Sequence, residues 1–291
     1  MTLGTRASYE LDIEDVEYLQ HGDKPLLARL FKPRGAGPFP LIVELHGGAW
    51  CRGDRMNDAV INEPLAKSGV VVAALDFRMP PEAAYPASIA DINYGIRWFK
   101  TQSAKFGSRP DLVGVLGTSS GGHQAVLVGM RPRDPRYSAV PLPAGAPAVD
   151  ASVRCVVACW PVIDPLARYR YAKKLKEGGK PYPDVVDLVL PCHDQYWGTE
   201  EAMAEGNPVL ALERRERVEL PPVLYLQGTR DVAHPRVDLD RFVMHYGEAG
   251  GRVALEMFEG EAEAFITRNR SSPAARQAIE KIIDFVHREI R

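Results

Sequence analysis

Histidine is scarce in this chain, and so is cysteine: seven of the first and four of the second are spread over 291 residues. The cysteines, Cys51, Cys155, Cys159 and Cys192, lack the paired spacings of zinc or redox sites. They read as reduced thiols in a cytoplasmic protein. No apolar run approaches the ~20 residues of a membrane span. The opening stretch, MTLGTRASYELDIEDVEY, lacks the basic-then-apolar order of a secretory signal. Neither sign of charge dominates: the formal net charge is −2. Nucleic acid and anionic membranes are therefore not expected as partners, since both favour a basic patch. No G-x-G-x-x-G nucleotide loop occurs, and the histidines are not at ligand spacing, so neither cofactor nor metal is expected.

What is present is an alternation of short β-rich runs with helical patterns, which argues for an α/β protein built on a parallel sheet. Strands are expected at 26–33, 41–46, 70–76, 112–117, 153–160, 223–228 and 252–258. Several are continuously apolar, as strands buried on both faces must be. Helical spacing of apolar residues marks 88–106, 236–247 and 273–290, the last opening on the cap-and-proline signal Ser-Ser-Pro. The chain 1–291 reads as one domain. Two stretches break the alternation. Residues 131–152 are proline-rich and read as a surface loop. Residues 163–206, charged and aromatic, read as an insertion or small cap over the carboxyl edge of the sheet.

Two motifs carry chemistry. Gly117-Thr118-Ser119-Ser120-Gly121 stands between a strand and a helix. This G-x-S-x-G pattern forces a serine into a tight, strained turn with its Oγ exposed at a helix N-terminus. The glycine spacing selects Ser119 over Ser120. Upstream, His46-Gly47-Gly48-Ala49-Trp50 follows a strand. A two-glycine loop lets backbone N–H groups approach a substrate carbonyl. The amides of Gly48, Ala49 and Ser120 are the candidate oxyanion hole. His46 reads as a brace for that loop, Trp50 as a pocket wall or packing group, and Cys51 as a small filler.

The order HGGAWCRGDR, LDFRMPPEAAYPASIADINYGIRWFK, GTSSGGH and LPPVLYLQGTRD resembles the α/β-hydrolase superfamily. It is most similar to the hormone-sensitive-lipase-like and feruloyl-esterase-like carboxylesterases, which include the kynurenine formamidase relatives. The resemblance covers roughly residues 25–290. It implies a mostly parallel eight-stranded sheet with helices on both faces, and a site at the carboxyl ends of the strands. It places the catalytic acid at Asp231. It also implies a histidine after the last strand, in a G-x-x-H-x-F frame. Here that frame reads Gly260-Glu261-Ala262-Glu263-Ala264-Phe265, so Glu263 stands where the base belongs.

The expected site is thus Ser119, Asp231 and Glu263, with Glu263 an altered base whose pKa a neighbouring Asp231 would raise. His234, three residues past Asp231, is an alternative base if its loop bends toward Ser119. His123, one helical turn below the nucleophile, is expected to pack beneath the elbow. His193 and Trp197 in the insertion could line the pocket from above. Three readings stay open. The first is a serine hydrolase of small carboxylic esters or related acyl substrates. The second is proton abstraction beside a carbonyl, giving lyase or cyclase chemistry. The third is a ligand-binding protein that keeps a hydrolase pocket. The partner expected is a small-molecule substrate, with a homodimer left open.

Overall fold

Strands form where the chain runs apolar without a break, and a computed structural model describes residues 8–290. Among them are β1 (Leu11–His21), β2 (Lys24–Pro33), β3 (Leu41–Leu45), β4 (Val71–Leu75), β5 (Val113–Thr118), β6 (Val156–Cys159), β7 (Val223–Gly228) and β8 (Val253–Phe258). They form one sheet in the order β1-β2-β4-β3-β5-β6-β7-β8. The pairs β1·β2 and β2·β4 are antiparallel, and the rest of the sheet is parallel. The helices are α1 (Ala59–Lys67), α2 (Ala87–Thr101), α3 (Ser120–Met130), α4 (Pro165–Glu177), α5 (Val185–Trp197), α6 (Glu200–Glu205), α7 (Pro208–Glu213), α8 (Arg236–Glu248), α9 (Phe265–Arg268) and α10 (Pro273–Glu289).

All seven expected strands are present. The eighth, β1, carries no apolar run that would announce it. As an edge strand it pairs on one side only and spends its side chains on charge: Asp15 accepts from Arg29 at 3.1 Å and Asp12 from Arg34 at 2.7 Å. The polar opening stretch read above for its lack of a secretory pattern runs into β1, and its first seven residues lie outside the described part. Successive residues of the parallel strands bury opposite faces. Val43, Val115 and Tyr225 meet α2, α3 and α8 on one face. Ile42, Val157 and Leu224 meet α1 and α10 on the other. The α10 start expected from Ser-Ser-Pro is in place, with Ser272 Oγ accepting from the Ala275 amide at 3.0 Å and Pro273 in the first turn.

The stretch 131–152 contains neither helix nor strand, as expected of a loop. Residues 163–206 fold into α4, α5 and α6. Asp164 caps α4 by accepting from the Ala167 amide at 2.8 Å, and Thr199 caps α6. No helix among the described residues is long and apolar enough to cross a membrane.

Candidate active site

The turn from β5 into α3 holds Ser119 at φ 49° and ψ −114°, a region that side-chain-bearing residues rarely adopt. The flanking glycines are a steric requirement. A Cβ at Gly117 would strike the Gly121 carbonyl, and a Cβ at Gly121 would strike the Leu45 carbonyl at the end of β3. The elbow therefore forms where the motif predicts it.

Histidine enters from the loop after β7, the alternative source named above. Ser119 Oγ lies 3.3 Å from Nε2 of His234, and His234 Nδ1 lies 2.9 Å from Oδ2 of Asp231. A carboxylate on Nδ1 fixes the proton there and leaves the Nε2 lone pair facing the serine hydroxyl. The imidazole and the Asp231 carboxylate are both buried. Three residues of separation suffice because Asp231 folds back on its own loop. Its Oδ1 accepts from the amides of Ala233 at 2.8 Å and His234 at 3.0 Å, an Asx turn that orients backbone and ring together. Gln227 Nε2 donates to the His234 carbonyl at 2.8 Å and ties the loop to the end of β7. Burial pushes the Asp231 carboxyl up, but the imidazole and the two amides outweigh it and hold the group below the usual carboxylate value.

Glu263, expected as the base, makes no hydrogen bond to Ser119 or Asp231. Its carboxylate accepts from Arg268 at 3.1 Å. The frame that should present an imidazole presents an ion pair instead, and the position facing Ser119 Oγ is filled by His234. The spacing D-x-x-H could have pointed to this, because Asp favours Asx turns that draw residue i+3 back onto its side chain.

The oxyanion loop has the expected shape. Gly48 sits at φ +116°, where a Cβ would strike the Arg52 carbonyl, and Ala49 and Trp50 are also left-handed. Neither the Gly48 nor the Ala49 amide bonds a backbone carbonyl among the described residues. Ser120 begins α3, so its amide is one of the unpaired first-turn donors. His46 braces the loop as expected: it stacks on Phe77 at 4.4 Å and donates from Nδ1 to the Gly47 carbonyl at 2.7 Å. Burial lowers its pKa, which keeps the ring neutral.

Of the two readings of Trp50 the packing one holds, and His193 and Trp197 do not line the cavity. Trp50, His193 and Trp197 are 1%, 0% and 3% exposed and pack with Tyr196 as an aromatic cluster between the two-glycine loop and α5. Their large apolar surfaces are better buried against one another than against water. His123 lies beneath the elbow as expected. It accepts from the Trp50 indole at 3.3 Å, donates to the Gly206 carbonyl at 2.8 Å, and burial brings its pKa down to about 4.

Ser119 opens on a cavity of about 860 Å³. It is lined by Gly47, Gly48 and Ala49, by Val185, Leu188 and Val189 of α5, by Arg168 of α4, and by Glu263 and Arg268. Arg168 was not singled out by the sequence, since one arginine in a cationic, aromatic helix carries no signal of its own. No group of three or more His, Cys, Asp and Glu among the described residues is arranged to hold a metal ion.

The chain is similar to several known proteins. The BD-FAE family model matches residues 30–237. Esterase LipC of Mycobacterium tuberculosis is 28% identical over 257 residues, which cover 86% of this chain and 59% of that protein; the chain thus spans little more than half of that relative's length. Among solved structures, a Pyrobaculum calidifontis esterase aligns with a TM-score of 0.76 at 22% identity, covering 97% of this chain and 86% of the other. EstE1, a thermostable carboxylesterase cloned from a metagenomic library, aligns with a TM-score of 0.77 at 21% identity, covering 97% and 91%. With its elbow, its two-glycine loop and most of its length inside one family model, the chain belongs to the BD-FAE family and has the α/β-hydrolase fold.

Proposed function

We propose that the protein is a serine hydrolase of carboxylic esters whose base is His234. The observation that carries the reading is the chain of contacts from Ser119 Oγ to His234 Nε2 and from His234 Nδ1 to Asp231. Ser119 Oγ attacks the acyl carbon as its proton passes to Nε2. The amides of Gly48, Ala49 and Ser120 receive the oxyanion. The imidazolium, held by Asp231, returns the proton to the departing alkoxide. A water then repeats the sequence on the acyl-enzyme and frees the carboxylic acid. Relatives such as Esterase LipC and Carboxylic ester hydrolase LipN carry names of the same chemistry, which supports the assignment.

Proton abstraction by Glu263 and binding without turnover are the weaker readings. The first lacks a free carboxylate near Ser119, because Glu263 is committed to Arg268. The second leaves a strained, histidine-bonded serine without a use. The test is labelling by a fluorophosphonate probe together with hydrolysis of 4-nitrophenyl acetate. Wild type is expected to be labelled and to turn over, while Ser119→Ala loses the label and at least about 10³-fold in kcat/KM. Turnover that survives in Ser119→Ala would sink the proposal.

A further inference from the structure

Arg168 is a buried cation with no ion-pair partner among the described residues. It lies on α4, is 4% exposed, and lines the cavity onto which Ser119 opens. Among the described residues it forms no ion pair, and the carboxylates of Glu263, Asp231 and Asp238 act on it only through space. Its Nε and Nη2 donate to His193 Nε2 at 3.2 and 3.1 Å, and its guanidinium lies 5.5 Å from the Trp50 ring. His193 offers no charge in return: burial and the nearby guanidinium push its pKa well below the usual value, so the ring is neutral. Nη1 makes no hydrogen bond to any described residue. Burying a guanidinium against a neutral imidazole and an indole is costly unless an anion completes the site.

The surroundings set the kind of anion. Four arginines, Arg52, Arg168, Arg230 and Arg268, line the cavity against three carboxylates, Asp58, Asp184 and Glu263. Among the described residues, only Arg268 of these arginines has a carboxylate partner, Glu263. Asp58 is itself buried and its carboxylate accepts from Thr118 Oγ1 at 2.9 Å. The apolar side chains of Val185, Leu188 and Val189 line the same cavity. One unspent N–H face and one charge without a direct ion pair suit a monoanion better than a phosphate dianion.

We infer that Arg168 is a specificity-determining residue that receives a free carboxylate on the substrate, so that the preferred esters carry an apolar linker ending in a carboxylate. The inference rests on the hydrolase reading above, with Ser119 at one part of the cavity and Arg168 at another. Burial brings the guanidinium down to about 10 while the charges of Glu263 and Asp231 oppose that fall; it stays charged throughout the working pH range.

The test compares monomethyl adipate with methyl hexanoate, which share chain length and differ in the terminal carboxylate, by pH-stat on wild type, Arg168→Met and Arg168→Lys. Wild type is expected to favour monomethyl adipate in kcat/KM by roughly tenfold to a hundredfold, the range of one charge-assisted contact. The difference should lie mainly in KM. Arg168→Met should bring the ratio to about one or below, and Arg168→Lys should retain part of it. A wild-type ratio at or below one overturns the inference, and so does a ratio unchanged in Arg168→Met. Should Arg168→Met fail to fold, the wild-type ratio and Arg168→Lys still decide. Wild type inert to both esters would overturn the hydrolase reading alone. Calorimetric binding of adipate, weakened in Arg168→Lys relative to wild type, would then support the role of Arg168, and equal binding would overturn it.

Discussion

The loop after β7 and the loop after β8 leave neighbouring parallel strands at the same edge of the sheet, yet they bring different groups to it. The β7 loop holds Asp231 and His234 in an Asx turn beneath Ser119. The β8 loop holds Glu263, turned to Arg268. The two are stitched together, with the Arg230 amide donating to the Glu261 carbonyl and the Gly260 amide to Thr229 Oγ1, both at 2.9 Å. Paired strands lie only ~4.8 Å apart. An imidazole can therefore move from one loop to its neighbour and still meet the same serine, provided the acid moves its support with it. What the chemistry fixes is the distance from Oγ to Nε2, and chain order is free to change.

The largest expected effect tests that exchange directly. His234→Ala should lower kcat/KM for 4-nitrophenyl acetate by about 10³–10⁵-fold, as loss of a triad base does. Adding Glu263→His to that variant restores the histidine to the β8 frame, beside the same cavity. The double variant is expected to regain about tenfold or more over His234→Ala. No regain would mean that the β8 loop has lost the approach to Ser119 as well as the histidine. Full activity in His234→Ala alone would break the comparison, because the base would then lie elsewhere.

The fold and half of the site were legible before the structure, for reasons that separate cleanly. Runs such as Val223–Gly228 are apolar at every position, so burial on both faces announces itself. The elbow glycines are forced by backbone contact with Gly121 and Leu45, and a steric need of that kind leaves a fixed spacing. β1 escaped because an edge strand satisfied by ion pairs has no apolar signature. Chain order points to Glu263 ahead of His234, because the order of residues does not show how far Asp231 folds back on its own loop. Arg168 escaped because a buried arginine reads like any other on a helix until its neighbours are known. Trp50, His193 and Trp197 had the right composition for a pocket wall; only three-dimensional packing reveals that they satisfy one another.

Within the β7 corner itself, two carboxylates sharpen the lesson. Asp231 is held low by the imidazole and two amides, although burial opposes it. Asp238, in the first turn of α8, has no such donors; burial, with the charge of Asp164 adding to it and Arg241 and Arg168 opposing, pushes its pKa up to about 7. An acid with a raised folded-state pKa keeps its proton longer when folded than when unfolded. The stability it contributes is full below the unfolded value near 4 and is lost as pH rises through about 7. Asp238→Asn removes that loss. Its melting temperature relative to wild type should climb between pH 4.5 and 7.5 and level off above, with a gain of at least about 1 kcal/mol at the plateau. A difference flat across this range would show that Asp238 ionises without penalty.

The smallest effect is expected at the residue the sequence placed at the centre. Glu263 occupies the histidine's frame, but its carboxylate shares one contact with Arg268, whose side chain is 67% exposed. Such half-exposed pairs are worth about 0–1 kcal/mol. Glu263→Gln keeps the shape and removes the charge. It should shift stability by less than about 1 kcal/mol and alter kcat/KM for a neutral ester by no more than about threefold, with no new pH dependence on the acid side. A base would behave otherwise: the glutamine variant would lose activity as severely as Ser119→Ala and lose the acidic limb of the pH–rate profile with it. The two outcomes differ by orders of magnitude, so a single pH series on Glu263→Gln separates a residue that has inherited a position from one that has inherited its task.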